Sequence, residues 1–241
     1  MALPGIGRSV EGHHAVAAAV AAGRVIRMLV ERRRAGSYTD LVADARAAGA
    51  RVELVDDVRP MADTTTPQGL VARCRPIPFA SLGAALESSQ PPAVLVLDHI
   101  EDPRNVGAMA RSALAAGVRA MVVSSHRSAP LEGTAFKTAA GALEHLAVVG
   151  VSSIPAVLDD LRSHGVWIVG LDGAGDRSIF GLELLKEPVA LVLGAEGRGL
   201  SRLVAERCDV TVRIPIAGGV ESLNAAVAAS LAVFEVSRIR A

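Results

Sequence analysis

Residues 191–201 read LVLGAEGRGLS, an apolar β-rich run that breaks into a turn holding three glycines around one carboxylate. Gly194, Gly197 and Gly199 let the backbone bend sharply and lie close to a ligand, and Glu196 offers its carboxylate inside the bend. Its place in the chain is the informative point. A dinucleotide-binding Rossmann domain carries its glycine-rich turn after the first strand, whereas this one follows a late strand of a long series. Around it, AVLVLDHI (93–100), VRAMVVSS (118–125), HLAVVGV (145–151), VWIVGLD (166–172), VALVLGAE (189–196) and DVTVRIPI (209–216) alternate with helical stretches. That alternation predicts an α/β fold with a mostly parallel sheet covered on both faces.

Two further segments surround the glycine turn. The first strand runs into EDPRNVGAMARSA (101–113), where Pro103 can start a helix carrying Asn105 and Arg111, six residues apart and near but not on one row. Near the end, VRIPIAGGVESLNAAVAASLAVFE (212–235) sends a strand through a glycine loop into a long alanine-rich helix. Read alone, Ser222, or Glu221 beside it, starts that helix, with Ser222 as its N-cap and Leu223 and Asn224 in the first turn. The helix from Ser222 to Arg238 is a candidate dimer interface.

The front of the chain is a smaller α/β unit. HHAVAAAVAAG and TDLVADARAAGA read as helices closed by Gly23 and Gly49, and RVIRMLVE, RVELVD and QGLVARC read as strands. A stretch with Pro76, Pro78, Pro91 and Pro92 around one short helix then has the composition of an interdomain connection. The expected division is a front domain over 1–76, a connection over 77–91 and a second domain over 92–241.

Bulk properties narrow the class. The 241 residues are 51% hydrophobic and 21% charged, with 25 basic and 25 acidic side chains. No apolar run is long enough for a membrane span, and MALPGIGRSVEG lacks the basic and apolar regions of a secretory signal, so a cytoplasmic location is expected. Net neutrality argues against a nucleic-acid partner, but residues 1–76 hold 11 Lys+Arg against 8 Asp+Glu, a net of +3, so the basic excess sits in front. Arg24, Arg27, Arg32, Arg33 and Arg34 are the candidate RNA contacts, against a solvated surface as the plain alternative. Cys74 and Cys208 suggest buried thiols rather than a disulfide. The six histidines lack metal-ligand spacing, so no metal is expected and each reads as a surface or core residue.

Taken in order, NVGAMAR, LGAEGRGL and IPIAGGVESLNAAVA resemble the three signature motifs of the SpoU (TrmH) family of SPOUT-class RNA 2′-O-ribose methyltransferases. The front segments EGHHAVAAAV and TPQGLVARC are similar to the ribosomal-protein-like RNA-binding domain of the members that methylate guanosine in 23S rRNA. One departure is Pro67, where the family often has histidine before the Gln-Gly pair. The resemblance implies a trefoil-knotted methyltransferase domain that binds S-adenosylmethionine, and a homodimer with active sites drawn from both subunits. It implies ribosomal RNA as partner, with no membrane and no metal. By position, the family's active-site arginine falls on Arg111, its partner asparagine on Asn105, and the late glutamate, serine and asparagine on Glu196, Ser222 and Asn224. The cofactor loops fall on Leu171, Asp172 and Gly173, on Gly194, Glu196, Gly197 and Gly199, on Ile214 and Ile216, and on Leu223.

Methyl transfer from a sulfonium is an in-line displacement, which needs the 2′-oxygen aligned within about 3–3.5 Å of the methyl carbon more than it needs a metal. A guanidinium with a pKa above about 12 is a poor base. The role expected for Arg111 is therefore to clamp a phosphate and stabilise the developing alkoxide, while another group accepts the proton. The competing expectations are a tRNA substrate for the same chemistry, and a non-catalytic RNA-binding or ribosome-assembly protein of the same fold.

Overall fold

The computed structural model describes residues 5–87 and 90–241. Residues 1–4 of the expected front domain and 88–89 of the expected connection lie outside the described residues.

In the front unit β1 (Ser9–Glu11), α1 (His13–Ala21), β2 (Val25–Glu31), α2 (Thr39–Ala47), β3 (Arg51–Val55) and β4 (Leu70–Cys74) form a sheet in the order β1-β4-β2-β3. β2 and β3 are parallel, as a strand–helix–strand unit requires, and β4 runs antiparallel to β2 and β1. β1 was not expected, because three residues are too few for an alternation to be read. Its Glu11 is fully buried, and it is tolerated there because the backbone N–H groups of Asp63 and Thr64 and the Thr64 hydroxyl donate to its carboxylate. Burial pushes the Cys74 thiol, and that of the half-buried Cys208, up to about 11, so both stay protonated at neutral pH.

The rest of the chain adds α3 (Leu82–Leu86), β5 (Ala93–Asp98), α4 (Pro103–Ala115), β6 (Ala120–Ser124), α5 (Gly133–Ala139), β7 (Ala147–Val151) and α6 (Ile154–Ser163). It continues with β8 (Trp167–Leu171), β9 (Arg177–Ser178), β10 (Val189–Gly194), α7 (Arg202–Ala205), β11 (Val210–Arg213) and α8 (Ala225–Arg240). The seven strands lie in the order β7-β6-β5-β10-β8-β11-β9, and every pairing among them is parallel. Buried side chains of α4, α5 and α8 cover one face and those of α6 and α7 the other, which is why β5, β6 and β10 read as unbroken apolar runs. From β5 the chain winds one way to β6 and β7, while β10 and its neighbours lie on the other side, so the sheet changes direction between β5 and β10.

Two local features fix how α4 and α8 are set against their neighbours. Gly107, inside NVGAMAR, lets α4 meet α5 at backbone distance: a Cβ there would stand 2.4 Å from the Ala135 carbonyl oxygen. α8 does not start at Ser222. Asn224 is its N-cap, with Oδ1 accepting from Ala226 N at 2.9 Å and Val227 N at 3.2 Å, so Ser222 and Leu223 belong to the preceding loop.

The front unit is closed onto the larger one. Arg24 donates from Nε to Glu144 Oε2 at 2.7 Å, with side chains only 12% and 1% exposed. Gly7 N–H donates to the Leu131 carbonyl, Ser9 N–H to Glu132 Oε2, and Lys137 to Thr66. One continuous apolar cluster runs from Val10, Met28 and Leu70 to Met109, Phe136 and Leu143. The connection is docked too, with Ile77 bridging Ile6 and Ala80 N–H donating to the Val148 carbonyl.

Candidate active site

α4 begins cleanly because Asp102 caps it, accepting from Arg104 N at 2.8 Å, with Pro103 in the first position. This fixes Asn105 in the first turn, buried, where its Nδ2 donates to Glu196 Oε1 at 2.8 Å. The cap residue of α8 reaches the same oxygen: Asn224 Nδ2 lies 2.7 Å from Glu196 Oε1 and 3.1 Å from Asn105 Oδ1, and Ala225 N–H donates to it at 3.2 Å. Three segments distant in sequence therefore converge on one carboxylate. All three hydrogen bonds to the carboxylate fall on Oε1, and Oε2 has no hydrogen-bond partner among the described residues.

The glycine turn brings the carboxylate there. Gly194 ends β10 against the returning strand of its own loop, so closely that a Cβ would stand 2.0 Å from the Gly199 carbonyl oxygen. Gly199 N–H closes the turn on the Ala195 carbonyl at 2.9 Å.

Two cavities flank this loop at the carboxyl ends of the strands. One, of about 560 Å³, is lined by Leu171, Asp172 and Gly173 after β8, by residues 193–199, and by Ser222, Leu223, Asn224, Ala225 and Ala228. The other, of about 600 Å³, lies between β5 and β10 and includes Asp98, His99, Asn105, Arg127, Glu196 and Arg198. Ala195, Glu196, Arg198 and Gly199 belong to both.

Of the residues singled out in sequence, Asn105, Glu196 and Asn224 are joined, and Ser222, Leu171, Asp172, Gly173, Gly194, Gly197, Gly199 and Leu223 line the smaller cavity beside them. Ile214 and Ile216 are not among the lining residues: Ile214 packs on the core and Ile216 is exposed, because the loop between β11 and Ser222 swings outward. Arg111 is not at the cluster of its own chain. Six residues carry it about 120° round the helix from Asn105, where it is exposed beside Leu114, Gly141 and His145 and has no ion pair among the described residues.

The front-domain arginines divide. Arg24 is no surface contact, since Glu144 holds it in the seam. Arg27 pairs with Glu53 through two N–H groups and Arg32 with Asp56 on the surface, the exposed Arg33 pairs with the buried Glu31, and Arg34 is exposed with no ion pair among the described residues. Tyr38 is buried, its hydroxyl donating to the Gln68 carbonyl at 2.8 Å.

Sequence reasoning missed Asp98 and His99. Asp98 is 1% exposed, accepting Ser201 N–H at 2.8 Å on Oδ2 and standing 2.6 Å from His99 Nδ1 on Oδ1. The signal was present in VLVLDHI, where an acid and a histidine close an otherwise apolar strand.

Asn224 has two separable roles. Asn224→Ala is expected to cost about 1 kcal/mol in denaturant unfolding, the worth of an N-cap, and to release Glu196. Asn224→Ser keeps a capping oxygen but not the amide, so it should unfold like the parent chain while the site loses its order. Equal stability losses in the two variants would refute that separation.

Residues 92–234 match the family model described as the SpoU rRNA Methylase family, and residues 9–80 match the model described as RNA 2′-O ribose methyltransferase substrate binding. The 23S rRNA (guanosine-2′-O-)-methyltransferase RlmB of Yersinia pestis is 46% identical over 176 residues, 72% of this chain and 71% of that one. The enzyme of the same name from Pseudomonas aeruginosa is 42% identical over 177 residues, again 72% and 71%. The SpoU methyltransferase AviRb from Streptomyces viridochromogenes, solved in complex with the cofactor AdoMet, aligns with a TM-score of 0.80 at 28% identity, covering 96% of this chain and 90% of that one.

Proposed function

The chain belongs to the SpoU rRNA methylase family, and on that footing we propose that it transfers a methyl group from S-adenosylmethionine to the ribose 2′-hydroxyl of a guanosine in 23S ribosomal RNA. The observation that carries the reading is the junction of Asn105, Glu196 and Asn224 on one carboxylate oxygen, at the wall between two cavities. Ribosomal RNA as substrate, residues 1–76 as its binding domain, the 77–91 connection and a cytoplasmic location are parts of the same proposal. Among the described residues no helix is long and apolar enough to cross a membrane, and no group of three or more His, Cys, Asp or Glu could hold a metal ion.

The smaller cavity fits the cofactor. Its volume is within the range of small-molecule sites, about 300–1,000 Å³, and Leu171, Leu193, Leu223 and Ala228 give it apolar walls for an adenine ring. The open backbone of Gly197 and Gly199 can approach a ligand without side-chain interference. Bound there, S-adenosylmethionine supplies a methyl group on a sulfonium. Glu196, pinned by two asparagines, holds the loop between cofactor and substrate in one place. The trefoil path that membership of the family implies for the loops forming this cradle is part of the same proposal.

Arg111 enters from a second copy in this reading. On α8 the residues Val227, Leu231 and Phe234 form an exposed apolar stripe, with Phe234 50% exposed, and α8 packs on α4 through the Ser112–Ser230 hydrogen bond at 2.7 Å. Covering such a stripe with its own copy makes a two-fold dimer. Phe234→Glu is expected to give a monomer in sedimentation velocity and to lose methyl transfer with it. A dimeric Phe234→Glu protein would place the interface elsewhere.

The function is tested by tritium transfer from labelled S-adenosylmethionine to ribosomal RNA from a strain lacking this chain, followed by mapping of the 2′-O-methyl group. Label in 23S rRNA supports the reading. Label in transfer RNA alone would move the substrate, and no label in either would leave an RNA-binding protein.

A further inference from the structure

In the front unit α1 and α2 pack on one face of the sheet, where Val16, Ala19 and Leu41 meet Met28, Val30 and Leu70. The opposite face carries a small apolar cluster, Leu29 and Val71 with Val58 and Met61 of the segment after β3. Beside that cluster β4, β2 and β3 set three arginines in one row. Arg27 stands in register with Arg73 across the antiparallel ladder and with Arg51 across the parallel one, and all three are exposed. Like charges directly opposite one another in a sheet are destabilising, and here one carboxylate serves two of the three. Glu53 takes two N–H groups of Arg27, at 3.0 and 2.7 Å, and stands 2.7 Å from Arg51 Nε. Arg73 donates to the Met61 carbonyl at 3.3 Å and has no ion pair among the described residues. A local rule broken on an open surface, without full compensation, points to function.

The row leads to the seam with the larger unit. Ser9 of β1 is next in register after Arg73, and Arg8 precedes it, exposed and without an ion pair among the described residues. Both line a cavity of about 480 Å³ together with Arg73, Asp63, Pro130 and Glu132. The two carboxylates in its wall have structural partners: Glu132 accepts the Ser9 N–H at 2.9 Å, and Asp63 lies against Gly133 at the start of α5, where an added Cβ would stand 2.7 Å from its own. The other acids of this face, Glu11 and Glu31, are buried and bonded to Thr64 and Arg33. Arg73 and Arg8 are therefore left as free cations beside the shared Arg27 and Arg51. Pro130 in the cavity wall is three residues from Arg127, which lines the larger cavity, so at most about 11 Å of chain separates the two.

Resting on the reading of RNA as the substrate, we propose that this open sheet face is an RNA track: a strand of the substrate lies across Arg51, Arg27 and Arg73 and passes Arg8 toward the larger unit. Strands about 4.8 Å apart spread the three guanidinium groups over about 10 Å, and each planar fork can hold a phosphate through two N–H groups. Binding moves Arg27 and Arg51 from Glu53 to phosphate. The backbone is what is recognised, because Tyr38, the one Phe, Tyr or Trp within residues 5–76, is buried and offers no platform for a base. Of the arginines singled out in sequence only Arg27 lies on the row. Arg51 and Arg73 escaped notice because each stands alone on its strand, whereas Arg32, Arg33 and Arg34 form a visible run beyond the end of β2.

Binding to 23S rRNA transcribed in vitro, measured across a range of salt, tests this. Arg27→Gln, Arg51→Gln and Arg73→Gln together should raise the Kd by more than about tenfold and flatten the slope of log K against log salt by about 2–3, each phosphate contact contributing about 0.7–0.9. The melting temperature, the affinity for S-adenosylmethionine and the single-turnover rate at saturating RNA should match the parent protein. As a control, alanine at Arg46, Arg177 and Arg202 removes three exposed arginines from other surfaces and should leave Kd and slope unchanged. Glu53→Gln acts in the opposite direction and decides the matter even if the triple variant fails to fold. With the competing carboxylate gone, binding should tighten and the slope steepen by up to about 2. Unchanged Kd and slope in the triple variant, an equal loss in the control, or a Glu53→Gln protein that binds no more tightly overturns the proposal. Labelling of ribosomal particles lost with affinity for naked RNA intact would give the face to a ribosomal protein, and overturns it as well. A parent protein that binds 23S rRNA with these slopes but transfers no label overturns the ribose-methylation reading and leaves the track in place.

Discussion

Arg111→Ala is expected to lower single-turnover methyl transfer by about 10²–10³-fold, the usual cost of removing one group that stabilises developing negative charge. Stability and cofactor affinity should not change, because Arg111 is exposed and has no ion pair among the described residues. Arg111→Lys should fall nearly as far, since an ammonium cannot hold a phosphate through two parallel N–H groups. A lysine variant with near-normal kcat would end the bidentate part of the explanation. The separation of Arg111 from the Asn105–Glu196–Asn224 junction also makes an arrangement prediction. Mixing Arg111→Ala subunits with Glu196→Ala subunits should restore about a quarter of the parent activity, because in a two-fold dimer half the molecules are mixed and each has one complete site. If the arginine served its own chain, the mixture would stay inactive.

Gly194→Ala is the second large effect. Its Cβ would meet the Gly199 carbonyl carbon at 2.1 Å and the Leu200 nitrogen at 2.4 Å as well as the Gly199 oxygen, all of them backbone atoms that cannot rotate away. The turn has to open, which breaks the Gly199–Ala195 hydrogen bond and moves Glu196 off its asparagines. Overpacking of this kind costs about 1–3 kcal/mol, and the affinity for S-adenosylmethionine measured by calorimetry should fall more than about tenfold, each factor of ten being about 1.4 kcal/mol. Gly197→Ala is the matched control: nothing lies within 4 Å of its Cβ, and only its positive φ of 73° is strained. Cofactor affinity unchanged in Gly194→Ala would show that the turn does not shape the cofactor cavity.

The long strands were legible in the sequence because a parallel strand covered on both faces is apolar at every position, as in VLVL before Asp98 and VALVL before Gly194. β1 and β9 were not, being three and two residues long. Sheet order was invisible as well, since β10 pairs with β5 across more than ninety residues of chain, and nothing local records that partnership. The junction on Glu196 came from the ordered motifs rather than from spacing, as its members are 91 and 28 residues from the glutamate. Arg24 looked like surface because the glutamate that covers it lies 120 residues on. The divergence of Asn105 and Arg111, by contrast, was available in principle from the helical period alone.

The seam between the two sheets limits how the front unit could be exchanged among relatives. Arg24 arrives expecting Glu144, Ser9 expects Glu132, and the apolar side chains on either side finish a single interior. A front unit transplanted from another protein would leave Glu144 buried without its counter-charge, and uncompensated buried charges are strongly destabilising. On the proposed reading, in which the front unit binds the RNA, substrate preference is inherited together with the stability of the whole molecule, and evolution retargets it by changing the outward surface of the front unit while keeping its inner face.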